Sequence, residues 1–136
     1  MSWLDPQTKL TDDFKWYEFW SNNFGKPKVE PPKEYYDNIF KVATELQKVR
    51  TILDVPITIT SGYRTPEWNS SKSVEGASGS KHLTGMAADS RAAGIPTIKY
   101  FGYICRYTNL NHLGCYVAPG FVHTGFTEKF TIFRSS

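Results

Sequence analysis

His82 and Asp89 lie on either side of Gly85 in the stretch Ser80-Lys81-His82-Leu83-Thr84-Gly85-Met86-Ala87-Ala88-Asp89, and His123 follows in the apolar run Phe121-Val122-His123. This trio constrains the fold more than any other feature. A glycine between His82 and Asp89 lets the backbone turn two side chains back toward one point. A third donor from His123 then requires a distant segment to return to the same place. Two imidazoles and a carboxylate are the donors of a Zn²⁺ site with its fourth position open, the arrangement of a catalytic rather than a structural centre. A single histidine is more often a partly buried core residue than a ligand. Here two of only 3 histidines share their surroundings with an aspartate and turn-forming glycines, which favours the metal reading.

The chain has 136 residues, enough for one core and too few for two. A single domain over residues 1–136 is expected, with an aromatic lead-in at 1–30 and the core at 31–136. The 40% hydrophobic and 15% aromatic content describes a globular chain, not a disordered one. A net charge of +3 without a basic cluster argues against nucleic-acid binding. No apolar run approaches the ~20 residues of a membrane span. Met1-Ser2-Trp3-Leu4-Asp5-Pro6 has neither the basic nor the apolar region of a signal peptide. Cys105 and Cys115 belong to no Cys-x-x-Cys pair and read as two mostly buried thiols rather than a bridge.

Along the chain, Thr11 or Asp12 is placed to cap a short helix carrying Phe14, Trp16, Tyr17, Phe19 and Trp20. Such rings serve either as a sugar platform or as core, and core burial is the commoner use. Lys26-Pro27-Lys28-Val29-Glu30-Pro31-Pro32 reads as an extended linker. Tyr35, Ile39, Val42, Leu46, Val49 and Leu53 form one apolar stripe, predicting a helix from Pro32 to Leu53. Strands are expected at residues 55–60, 85–89, 113–116 and 120–124, with an edge strand at 130–133. A second helix is expected at residues 97–107, and residues 67–80 read as a loop forming one rim of the site. Arg64, at the end of the first expected strand, is a guanidinium fork suited to a substrate carboxylate, or an ordinary surface residue.

Ser61-Gly62-Tyr63-Arg64-Thr65-Pro66, Asn69, Gly76-Ala77-Ser78, the pattern Ser80-x-His82-x-x-Gly85-x-Ala87-Ala88-Asp89 and Phe121-Val122-His123 together resemble the zinc D-alanyl-D-alanine carboxypeptidase family. That family includes phage L-alanyl-D-glutamate endopeptidases and has a hedgehog-like DD-peptidase fold. The resemblance spans roughly residues 30–126. It implies an α+β single domain, an antiparallel sheet with helices on one face and the zinc site on the other. It also implies Zn²⁺ held by His82, Asp89 and His123, with Arg64 and Ser80 positioning substrate. The implied activity is cleavage of peptidoglycan stem peptides by a phage- or prophage-encoded, endolysin-like hydrolase. The implied location is the bacterial wall, reached after lysis or as part of a virion.

One departure stands out. Related subfamilies place an acid three residues before the last zinc histidine or two after it, and those positions are Gly120 and Gly125 here. Glu128 and Glu75 are the substitutes for the general base, and His112 is a further candidate near the site. The missing acid gives weight to a second reading: a catalytically degenerate member that binds the wall or serves as a structural component among phage proteins. A metal-free binding domain of the same fold is the third.

Overall fold

The computed structural model describes residues 4–128 and 130–135, so residues 1–3 of the expected lead-in lie outside the described residues. A 3-10 turn, Trp16–Phe19, leads into a hairpin of β1 (Ser21–Asn23) and β2 (Lys26–Val29). Lys26–Val29 is therefore paired strand, not linker. Its turn residues Phe24 and Gly25 both have positive φ, 54° and 75°, the backbone that suits a two-residue hairpin turn. Nothing in a Phe-Gly pair advertises that turn as strongly as Asn-Gly would.

Helix α1 (Tyr36–Leu53) follows a 3-10 turn at Lys33–Tyr35. It buries Ile39, Val42, Leu46 and Val49, four positions of the expected stripe, together with Ala43. Each of the larger side chains contributes ~1.5–3 kcal/mol on burial. Asp54 ends the helix in the left-handed region. Next come β3 (Ile57–Ser61) and a short helix α2 (Pro66–Ser70). The start of the expected rim loop is thus helical. Thr65 caps it by accepting from the Trp68 amide at 3.1 Å, and Pro66 occupies the first turn.

A 3-10 turn at Lys81–Thr84 precedes β4 (Ala87–Ala92), α3 (Thr97–Tyr107), β5 (His112–Tyr116), β6 (Phe121–Gly125) and β7 (Thr131–Ser135). These strands form a five-stranded sheet in the order β3-β4-β6-β5-β7. The first four pair antiparallel, but β7 runs parallel to β5. The α+β fold with its antiparallel sheet is as expected, and the parallel β5–β7 pairing makes the sheet mixed at that one edge. A chain that leaves β6 at Gly125 and crosses to the far side of β5 arrives pointing the same way as β5.

The register divides the sheet into two faces. Ala88, Ser90, Leu113, Cys115, Val122 and Thr124 share the face covered by α1 and α3, where Ser90 Oγ meets Tyr100 OH at 2.7 Å. Ala87, Asp89, His112, Gly114, His123 and Gly125 share the other face. Phe14, Trp16 and Phe19 are buried in the same cluster as Ile39, Leu46, Ile104 and Val122, so these three rings are core, whereas Trp20 is partly buried against it and Tyr17 is exposed. Cys115 is buried and Cys105 is exposed, which corrects the expectation of two mostly buried thiols. Among the described residues no helix is long and apolar enough to cross a membrane.

Candidate metal centre

One row of cross-strand partners builds the site: Ser61 on β3, Asp89 on β4, His123 on β6, Gly114 on β5 and Phe133 on β7. Asp89 and His123 are direct partners, and His123 Nδ1 lies 2.9 Å from Asp89 Oδ1. His82 arrives from outside the sheet. Ser80 caps its 3-10 turn, the hydroxyl accepting from the His82 amide at 3.2 Å. Gly85 ends that turn at φ 75°, where a Cβ would stand 2.7 Å from Ile39 Cγ1. The turn can therefore sit directly on α1, and Asn38 fixes it by donating to the Thr84 carbonyl at 2.9 Å.

His82 is 2% exposed, and its Nδ1–H donates to the Gly62 carbonyl at 2.6 Å. That bond sets the tautomer and leaves a lone pair on Nε2. Nε2 is buried without an aligned hydrogen bond, 3.3 Å from the same Asp89 Oδ1 that His123 approaches. A lone pair facing a carboxylate oxygen is unfavourable unless a cation lies between them. Tetrahedral zinc ligands at about 2.1 Å from the ion stand roughly 3.4 Å apart, so this spacing suits a shared metal. One ligand atom from each of His82, Asp89 and His123 lies within 4.8 Å of the others. The three expected ligands do come together, and the orphaned His82 nitrogen fits the group.

Burial alone would raise the pKa of Asp89. The His82 and His123 imidazoles reverse this and hold the carboxyl well below the usual carboxylate range. Burial also lowers the pKa of His82, with Asp89 opposing, so the ring is neutral and able to ligate. Arg64 holds the other carboxylate oxygen, with Nη2 to Asp89 Oδ2 at 3.3 Å. Its Nε donates to Ser61 Oγ at 3.0 Å and its Nη1 to Asn69 Oδ1 at 3.2 Å. The guanidinium is therefore a built part of the site, not a solvated surface group.

These residues open into a cleft of about 500 Å³ lined by Arg64, Glu75, Ser80, His82, Asp89, His112 and His123, with Tyr116, Phe121 and Phe133 as an aromatic wall. Of the two substitute acids, Glu75 lines the cleft from the rim, at φ 50°. Glu128 is exposed in the bend after β6 and is not among the lining residues. His112 places Nδ1 3.1 Å from His123 Nε2.

Both glycines at the expected acid positions have backbone reasons to be glycine. Gly120 has φ 83° in the β5–β6 turn. At Gly125 a Cβ would lie 2.7 Å from the carbonyl oxygen of Met86, the residue just before β4.

Sequence reasoning gave no role to Asn69, although it is 3% exposed and ties the rim to Arg64, donating to the Ala77 carbonyl at 2.9 Å. Phe133 was legible only as part of an edge strand. Alternation along that strand places it on the face of His123, but only the register reveals the row it completes.

A comparison with curated proteins finds no match. The sequence matches the family model Peptidase M15 over residues 13–125, which spans every element from the aromatic turn to the end of β6. The chain belongs to the peptidase M15 family, whose members are zinc-dependent metallopeptidases.

Proposed function

We infer that this chain is a zinc peptidase that hydrolyses peptide bonds in the stem peptides of bacterial peptidoglycan, with His82, Asp89 and His123 as the metal ligands. The observation that carries the reading is the pair of imidazole nitrogens, one of them an orphaned buried Nε2, converging on a single Asp89 oxygen at the floor of a cleft. When bound, zinc lowers the pKa of its water to about 7 and polarises a carbonyl.

The chain's own groups do the rest. Arg64 uses three of its five N–H donors on Ser61, Asn69 and Asp89, and the remaining donors take a carboxylate of the peptide. The Ser80 hydroxyl, at the cleft edge, holds the peptide beside it. Asp89 is committed to Arg64 and the imidazoles, so a different group must carry the proton. Among the described residues Glu75 is the other carboxylate lining the cleft, and it is the group assigned to take a proton from water and return it to the leaving amine. A phage or prophage setting, with action at the wall after lysis or from a virion, is supported by the likeness to phage endopeptidases alone.

A second reading, a degenerate member that binds the wall within a phage particle, is favoured by one observation: the acid position at Gly125 is closed by the Met86 carbonyl. Digestion of purified peptidoglycan with zinc-loaded protein, followed by mass spectrometry, separates the two. Released peptides or new amino termini that disappear with chelator support the peptidase. Bound zinc with no product from any wall type supports the second reading.

A further inference from the structure

His112 faces Gly125 across the β5–β6 ladder, so the position two residues beyond His123 carries no side chain and an imidazole stands beside it. The His112 ring meets His123 edge to face, centroids 5.0 Å apart at 88°. His123 turns Nδ1 toward Asp89 and Nε2 toward His112 Nδ1, at 2.9 and 3.1 Å. Its metal-side nitrogen is thus Nδ1, and His112 lies on the far side of the ring.

Phe133 closes this pair. Its ring lies 5.4 Å from that of His112 and 5.8 Å from that of His123, over Gly114, where any Cβ would overlap it. Phe133 belongs to β7, beyond the residues that match the family model.

We propose that His112 is a positioning residue for His123: its Nδ1 accepts the Nε2–H of the ligand imidazole, a bond walled by Phe133 from the strand appended after the family-matched segment. The proposal rests on the zinc reading above. With a cation on Nδ1, the proton of a neutral His123 resides on Nε2, and the basic atom beside it is His112 Nδ1 at 3.1 Å. Such a partner fixes the ring orientation and raises the basicity of the ligating nitrogen, and its loss typically weakens metal affinity about 10–100-fold. His112 therefore acts through His123 and is not itself assigned the proton transfer of hydrolysis.

The test is zinc affinity by competition with a chromophoric chelator, in the full chain, for the parent, His112→Ala and His112→Asn. The parent is expected to bind one zinc, and H112A to bind roughly 10–100-fold more weakly. H112N, whose Oδ1 can accept in place of Nδ1, should regain most of the loss. Long-range ¹H–¹⁵N spectra of the zinc-loaded parent should show His112 as the Nε2–H tautomer, a signature that a purely structural role would not fix. H112A with parental affinity, or His112 as a direct zinc ligand or Nδ1–H tautomer, overturns the positioning role while leaving the zinc centre standing. A parent that binds no zinc overturns both.

Discussion

Asp89 and His123 are cross-strand partners on β4 and β6, and the 2.9 Å between Oδ1 and Nδ1 is set by the sheet register rather than by a flexible loop. A one-residue slip of β4 against β6 would put the two side chains on opposite faces of the sheet. The Asp89–His123 pair is therefore as rigid as the ladder that carries it, and His82 is the member of the proposed ligand set whose placement depends on loop and turn contacts.

That dependence can be probed at Gly62. Its carbonyl holds His82 Nδ1, and a Cβ there would stand 2.7 Å from both the Cα and the carbonyl oxygen of Phe19. Gly62→Ala should lower thermal stability by ~1–3 kcal/mol through overpacking. It should also weaken zinc binding, because the displaced carbonyl releases His82. Parental zinc affinity in a folded G62A protein would show that the carbonyl does not position the ring.

The glycine at the expected acid position is a second probe. Restoring an acid with Gly125→Asp should not raise activity and should lower the melting temperature, because the Met86 carbonyl occupies the space a Cβ needs. A thermal melt and a peptidoglycan assay check this. A stable, more active G125D protein would mean that the backbone at Met86, just before β4, yields readily.

Glu75 carries a catalytic prediction. Glu75→Gln should leave zinc stoichiometry unchanged and lower hydrolysis by ~10²–10⁴-fold, the usual cost of losing a general base. Glu128→Gln, on an exposed residue outside the cleft lining, should leave hydrolysis within about twofold, a change small against that base effect. The reverse order of effects would transfer the role to Glu128.

Acidification should destabilise the chelator-treated protein. An unfolded chain protonates His82 near its ordinary value of 6.5, whereas burial keeps the folded ring neutral to lower pH. Asp89 is held below its ordinary value of 3.8, so its contribution is present above that pH and is lost as pH falls through and below it. In both steps the unfolded state binds more protons, and stability falls from pH 7 toward pH 3. Melting temperatures measured across that range that rise on acidification would contradict this account.

Much of this was legible in the sequence, for reasons that differ by element. The stripe from Ile39 to Val49 announced α1 because a 3.6-residue period has one buried face. His82, Asp89 and His123 could be singled out from the sequence as a candidate metal set because they stand among turn-forming glycines, and the structure brings one donor atom of each within 4.8 Å of the others. The β1–β2 hairpin was hidden because its turn uses Phe24 at positive φ. The parallel direction of β7 was hidden because strand direction is a property of the connection, not of the residues in the strand. His112 was legible as a titratable group near the site, but its contact with His123 follows from register, which no local pattern encodes.

The most direct measurement is metal content by mass spectrometry of the native protein, for the parent and for His82→Ala and Asp89→Asn. The account predicts one zinc per parent chain, removed by chelator, and none retained by either variant while both remain folded. A parent without zinc, or an H82A protein that holds zinc as the parent does, would contradict it.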